Sequence, residues 1–197
     1  MSTISGDYLA DLTSGDDERA EAAASGLASL PAAQVHDVIG QLTELLASPD
    51  VDTRWWAVRA LSELPDAHVP AMLVEALGDS DAAVRQCAVL GLRIHPDGNA
   101  VPTLLGVLTG DDPLAADLAA DALAVVGDRA VPSLLEILEN GQPSARLKAL
   151  RALAFIGDER SIPALFAALD EESALMEYWA AEGLERMGVG MTFFKPD

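Results

Sequence analysis

The sequence predicts an all-α fold, an α-solenoid of about six stacked helix pairs, and three observations carry that prediction. Helix-opening prolines stand at Pro70, Pro102, Pro132 and Pro163, spaced by 32, 30 and 31 residues. A leucine recurs at Leu27, Leu61, Leu92, Leu123, Leu153 and Leu184, in steps of 34, 31, 31, 30 and 31. Each leucine follows a small residue (Gly26, Ala60, Gly91, Ala122, Ala152, Gly183), and an alanine precedes it by one helical turn at Ala23, Ala57, Ala88, Ala119, Ala149 and Ala180. Positions i, i+3 and i+4 share one face of a helix. A fixed period of this length marks a repeat array, in which each unit buries its apolar face on its neighbours. The small residues let the helices of adjacent repeats approach closely.

Taken in order, the chain opens with a short helix over 7–12, inside an N-terminal capping segment of residues 1–15. Residues 16–30 form the first Ala/Leu-rich helix and 35–47 its partner. Helices then alternate over 50–64, 69–78, 82–95, 100–109, 113–126, 131–140, 144–156, 161–170 and 173–187, with loops of two to five residues, as antiparallel helix pairs require. That gives roughly twelve helices in one repeat domain spanning 1–197. The pattern stops after Met187-Gly188. The tail, 188–197, carries Met191, Phe193 and Phe194, which are costly to leave in water. It is expected to cap the last repeat near Trp179, with insertion into another chain as the alternative.

The acidic residues have structural work at the turns. Ser48-Pro49-Asp50, Asp79-Ser80-Asp81, Asp111-Asp112-Pro113, Gln142-Pro143-Ser144 and Glu171-Glu172-Ser173 all precede Ala/Leu helices. Ser and Asp accept hydrogen bonds from the free N–H groups of a first turn, and proline fits that turn. Arg54, Arg85 and Arg146 hold equivalent positions near the starts of three of these helices, while Ala116 and Glu177 fill the slot in two others. They are expected to pair with carboxylates of neighbouring turns, an anion-binding ladder being the competing reading.

Several of these pieces resemble a known family. Asp81-Ala82-Ala83-Val84-Arg85-Gln86-Cys87-Ala88, the helix stops Gly127-Asp128 and Gly157-Asp158, and the restarts Pro132-Ser133-Leu134 and Pro163-Ala164-Leu165 resemble HEAT-like repeats of the short kind seen in the bilin lyases of phycobilisomes. The resemblance covers nearly the whole chain and implies a right-handed HEAT-like α-solenoid. It permits three roles: a non-enzymatic protein-interaction or scaffolding module, which is the expected one, a subunit of a bilin-lyase-like enzyme, or a structural subunit of a larger assembly. Di-iron hydroxylases with HEAT-like repeats use repeated His-Glu pairs. Here neither His36, His68 nor His95 is followed by Glu, so that comparison fails at the residues that matter.

Composition narrows the partners. Twelve basic against thirty-two acidic residues give a net charge of −20. Nucleic-acid binding needs a basic stripe to exchange for counterions, so neither nucleic acid nor an anionic membrane is expected. Two readings of the acidity stay open: a solubilising or salt-adapted surface, or complementarity to a basic partner. The single cysteine, Cys87, allows no internal disulfide and fits a cytoplasmic setting, as does an N-terminus without a secretory pattern. Cys87 reads as a small core residue. His95, just before Pro96, is expected to satisfy a helix-end carbonyl.

No constellation for catalysis, cofactor or metal is present: the chain has no GxSxG, P-loop, dinucleotide or zinc pattern. The sequence therefore predicts no enzyme and no cofactor. Aromatics make up only 5 % of residues, which makes their placement informative. Trp55-Trp56-Ala57 aligns with Tyr178-Trp179-Ala180, and the first slot is mostly polar in other repeats. Trp55 and Tyr178 are expected at the surface, where exposed aromatics mark binding hot spots, and Trp56 and Trp179 at a seam between repeats. Family resemblance places the Pro-type helices on the concave face. Their outward residues are then Ala71, Val74, Glu75, Thr103, Gly106, Val107, Ser133, Glu136, Ile137, Ala164, Ala167 and Ala168, a mildly apolar groove suited to an amphipathic partner helix. The candidate partner-binding residues are Trp55, Arg59, Tyr178, Val74, Glu75, Val107, Ile137, Phe193 and Phe194. The expected partner is another protein, basic or presenting an amphipathic helix.

Overall fold

The computed structural model describes residues 4–189. The capping segment is described only from residue 4, and Met191, Phe193 and Phe194 with the rest of 190–197 lie outside the described residues. Twelve α-helices and three short 3₁₀ turns make up the described fold, with no strand among them. They group into two compact units, Met1–Pro96 and Asp97–Asp197.

In the first unit the helices are α1 (Ile4–Leu12), α2 (Asp17–Leu27), α3 (Ala32–Leu46), α4 (Val51–Leu61), α5 (Val69–Ala76) and α6 (Ala82–Ile94). In the second they are α7 (Val101–Leu108), α8 (Pro113–Val126), α9 (Val131–Asn140), α10 (Pro143–Ile156), α11 (Ile162–Ala168) and α12 (Ala174–Arg186). Within each unit every odd-numbered helix packs on the even-numbered helix that follows it. The even-numbered, Ala/Leu-rich helices also pack on one another, α2 on α4 and α4 on α6, then α8 on α10 and α10 on α12. Each unit is thus a run of three stacked helix pairs.

The periodic residues sit where the period demands. All six leucines and all six alanines of the two rows are buried. Of the small residues beside the leucines, all but the partly exposed Gly26 are buried as well. Gly91 shows why size matters there. A Cβ on it would collide with the hydroxyl of Ser62, which follows the last residue of α4, and stand 2.9 Å from Leu73 Cδ1 on α5. Gly183 is equivalent: its Cβ would meet Ala154 Cβ at 2.9 Å and Ala154 Cα at 3.0 Å on α10.

Helix starts follow the turn chemistry in four cases. Asp16, Asp50, Asp81 and Asp112 each accept a backbone N–H of the first turn. Gln142 and Ser173 make no side-chain cap bond, so the capping expected at those two turns is not found. At Gln142 the first turn begins instead with Pro143, which has no N–H to satisfy. All four Pro-type prolines stand at the first or second helical position of α5, α7, α9 and α11. Three of these helices are entered through a 3₁₀ turn: Gly98–Ala100, Gly127–Arg129 and Glu159–Ser161. Asp97 and Asp158 cap two of those turns. The hydrogen bond from the Arg160 side chain, more than any other cause, pulls the Asp158 carboxyl down to about 2.

Ion pairs tie one repeat to the next at two positions of the arginine row, Arg54 and Arg146, as expected there. Arg54 on α4 grips Asp79, beyond α5, with two bonds (Nε to Oδ2 at 2.7 Å, Nη2 to Oδ1 at 2.9 Å), and its Nη1 donates to the Ser48 carbonyl at 3.0 Å. Both partners of that pair are only 12 % exposed. Arg85 donates to the carbonyls of Asp79 and Ser80. Arg146 holds Glu171 and donates to the Leu138 carbonyl at 2.7 Å. On the other side of the Ala/Leu helices, Arg59 bridges Glu21 and Glu63, Lys148 pairs with Asp117, and Arg151 with Asp121. At the opposite helix ends, the His95 ring nitrogen Nε2 lies 2.8 Å from the Ser62 carbonyl that ends α4.

Three outcomes are expected. Gly91→Val overfills the contact with Ser62 and Leu73 and lowers stability by about 1–3 kcal/mol. Gly106→Ala, at an exposed helix position where a Cβ meets nothing within 4 Å, raises stability by about 0.4–1 kcal/mol. Urea unfolding of the two variants checks both signs. The third outcome concerns Asp79, whose carboxyl is held below its ordinary range mainly by the Arg54 hydrogen bonds. A depressed folded value adds stability that is present above the unfolded pKa of about 3.9 and disappears as pH falls through the folded one. Asp79→Asn therefore melts below the native protein at neutral pH. Melts at stepped pH should show that gap closing below about pH 3.9.

Candidate functional site

The Pro-type helices are short, seven to ten residues in α5, α7, α9 and α11, and leave grooves between successive copies. One groove, about 300 Å³, opens between α3 and α5 in the first unit. Its apolar part is Leu46, Ala47 and Ala76, and Thr43, Glu75, Gly78 and Asp79 complete the lining. A second, about 280 Å³, opens between α9 and α11 in the second unit. Leu135, Leu138, Ala164, Ala167 and Ala168 give it an apolar floor, and Glu139, Arg146 and Glu171 its polar wall. The two grooves have features in common, although the glutamate of the first stands on α5, its later helix, and that of the second on α9, its earlier one. Each has an arginine–carboxylate pair at one end, Arg54–Asp79 or Arg146–Glu171, and an exposed glutamate on the rim, Glu75 or Glu139.

The candidate residues divide by helix type. Glu75 is exposed and Val74 half-buried on α5, while Val107 on α7 and Ile137 on α9 are half-buried. Of the twelve residues expected on that face, eleven reach the surface at least in part. Ala168 does not: it is buried, three residues after the buried Leu165 and on the same face of the helix. Trp55, Arg59 and Tyr178 lie on the Ala/Leu helices α4 and α12 instead. Tyr178 is 55 % exposed, as its slot implied. Trp55 is not: it is half-buried, with its ring set edge-on to Trp56, centroids 4.7 Å apart. Neighbouring residues on a helix point about 100° apart, and two indoles there meet nearly at right angles and shield one another. Arg59 is held between Glu21 and Glu63.

One surface residue escaped the sequence reading. Phe155 is 44 % exposed at the end of α10, with its ring 5.6 Å from that of Trp179 and under the Arg186 guanidinium at 4.8 Å. The signal was available, since Val125 fills the equivalent slot of the preceding Ala/Leu helix and is also exposed.

Chemically, the described residues offer little for turnover. No group of three or more His, Cys, Asp or Glu side chains among them could hold a metal ion. Burial pushes the Cys87 thiol up to about 12, so it is not a thiolate at neutral pH. No described helix is long and apolar enough to cross a membrane. What the arrangement offers is one groove in each unit, with an apolar floor and carboxylates at its rim.

Comparison with known proteins agrees with the geometry. No curated protein matches the chain. Among solved structures, an engineered protein is similar over 96 % of this chain and 98 % of its own, at 24 % identity and a TM-score of 0.56. The complex of CpcE and CpcF of phycocyanin lyase from Nostoc sp. PCC7120 is similar over 95 % of this chain and 78 % of the matched chain, at 21 % identity and a TM-score of 0.56. A designed armadillo repeat protein in complex with the peptide (KR)4 matches 94 % of this chain and all of its own, at 17 % identity and a TM-score of 0.57. Likeness at these identities concerns the fold. The model of HEAT repeats matches residues 7–93, 39–124 and 101–185 in overlapping windows, and with nearly every repeat so covered the chain belongs to the HEAT-repeat family.

Proposed function

We propose that the chain is a non-enzymatic protein-binding module whose Pro-type helix face receives a basic segment of a partner protein. The observation that carries this reading is the repeated groove: an apolar floor with glutamates on its rim, once between α3 and α5 and again between α9 and α11. Aliphatic stems of Lys or Arg bury well on such a floor while their charged heads stay at an acidic rim. The net charge of −20 adds a long-range attraction that speeds encounter with a basic partner. A designed armadillo repeat protein of similar fold is solved with a peptide of that character. In this reading Glu75 stands on the rim of the first groove, and Val74, Val107 and Ile137, half-buried on Pro-type helices, are further candidate contacts. Tyr178 is a second candidate contact on the Ala/Leu side, where Trp55 and Arg59 have less free surface to offer.

A second reading has one observation in its favour, the likeness to the phycocyanin lyase complex. In that reading the chain is a subunit of a bilin-lyase-like enzyme, and visible absorbance co-purifying with the protein from its native cell is the discriminating sign.

The test of the first reading is a titration with a fluorescent peptide of alternating Lys and Arg, at low and at physiological salt. Binding is expected to weaken as salt rises, because exposed charges are screened within roughly 10 Å at 0.1 M. Glu75→Lys together with Glu139→Lys should weaken it severalfold while leaving the melting temperature close to that of the native protein. Binding unaffected by both salt and charge reversal contradicts the proposal, as does equal affinity for an acidic peptide.

A further inference from the structure

The net charge is not spread evenly over the chain. The six Ala/Leu helices together hold nine cations and nine carboxylates, so the whole excess of −20 falls on the rest of the sequence, chiefly the turns and the Pro-type helices. Two copies of the chain repel wherever those acidic parts are brought together, since like charges set against each other oppose a contact. The Ala/Leu helices carry no such excess.

In the second unit these helices also present apolar side chains to solvent. Leu114 on α8 and Leu175 on α12 share one slot of the repeat, and Val125 on α8 and Phe155 on α10 share another. Tyr178 follows Leu175 by one helical turn. By the helical register all five stand on the side of their helices away from the buried alanine and leucine rows, and each is 44–56 % exposed. They are five of the nine large apolar residues exposed among the described residues, gathered on the outer face of α8, α10 and α12. At Phe155 the group is continuous with Trp179, 5.6 Å away, and Tyr178 meets Trp179 edge-on at 5.0 Å. Scattered apolar residues on a surface need no explanation, but a contiguous group marks a contact.

The charges on this face are already matched. Lys148 pairs with Asp117, Arg151 with Asp121, and Arg186 with Glu182 at 3.9 Å while its guanidinium stands over the Phe155 ring. Glu177 and Glu185, the other carboxylates of these helices, are exposed. In total α8, α10 and α12 hold five carboxylates and four cations. A strongly basic or strongly acidic partner gains little from such a face. A surface holding both signs in near balance is complementary to itself, and a two-fold contact sets the same patch of each copy against the other.

We propose that the outer face of α8, α10 and α12 is a homodimer interface, on which a second copy of this chain packs the same face about a two-fold axis. Leu114, Phe155, Leu175 and Tyr178 are its apolar centre, and the acidic Pro-type helices take no part in it. The inference does not rest on the basic-partner reading, which concerns the grooves between Pro-type helices, and the two respond oppositely to salt.

Sedimentation equilibrium of the full chain tests it, from low micromolar to several hundred micromolar protein, at low and at physiological salt. A monomer–dimer equilibrium is expected, and its dissociation constant should fall severalfold as salt rises. Screening removes the repulsion between two bodies of charge −20 and leaves an apolar contact in place. Leu114→Glu with Leu175→Glu adds carboxylates in the first turns of α8 and α12, where the helix dipole favours them, so the fold is kept. That variant should dimerise about tenfold more weakly or worse, and Phe155→Ser should weaken the dimer as well. Leu90→Glu with Ile94→Glu, at exposed apolar positions on α6 of the first unit, should dimerise as the native chain does. A monomer at every concentration and salt overturns the proposal and leaves the face to a different occupant. So does a dimer that loosens as salt rises, one untouched by both the Leu114/Leu175 and the Phe155 changes, or one abolished by the changes on α6.

Discussion

The structure depends on how closely two Ala/Leu helices can approach. At Gly183 the backbone of α12 lies so near α10 that a single added carbon would touch Ala154 at 2.9 Å. Gly91 plays the same part between α4 and α6. Dispersion and burial fall off steeply when packed surfaces separate, so this closeness is what makes an alanine-rich interface worth forming. A leucine beside each small residue fills the space between the helix pair, and all six are buried. The consequence is a core that uses few aromatics, which leaves Phe155, Tyr178 and Trp179 free to be read as surface chemistry.

Charge is arranged around that core rather than within it. Arg54, Arg59, Arg146, Lys148 and Arg151 each reach a carboxylate contributed by a neighbouring turn or helix. Asp16, Asp50, Asp81 and Asp112 are occupied as helix caps. Subtracting these leaves an acidic excess on the rims of the grooves and the outer turns. Exposed pairs of this kind contribute little each, whereas the half-buried Arg54–Asp79 and Arg146–Glu171 pairs also set the end walls of the two grooves. Fold and candidate site thus share the same side chains, and a partner meets a surface whose shape is fixed by contacts between repeats.

Much of this could be read from the sequence because the determinants are periodic. The rows of leucine, alanine and small residue are local in the helix and repeat in register, so the buried face, the helix order and the Pro-type starts followed directly. The arginine row gave carboxylate partners at Arg54 and Arg146 for the same reason; Arg85 instead donates to the carbonyls of Asp79 and Ser80. What could not be read depends on distances between helices. Trp55 shares its slot with polar residues elsewhere, yet its neighbour is another indole and the two cover each other. Ala168 was expected at the surface and is buried, because it shares the inward face of α11 with Leu165. Gln142 and Ser173 occupy capping positions without making the bond, since a suitable residue type does not fix a side-chain rotamer. The grooves between α3 and α5 and between α9 and α11 are gaps, and a gap has no residue pattern of its own.

The central claim is that close contact at the small-residue seam holds successive repeats together, and a double-mutant cycle at Gly183 and Ala154 tests it most directly. Moving the methyl group across the seam, Ala154→Gly with Gly183→Ala, keeps the volume while each single change either opens or overfills the contact. The account predicts that the double variant is more stable than the sum of the two single effects implies, with a coupling of at least about 0.5 kcal/mol by urea unfolding. Additive effects, with no coupling beyond the error of the cycle, would show that the two helices do not rely on this contact and would contradict the account.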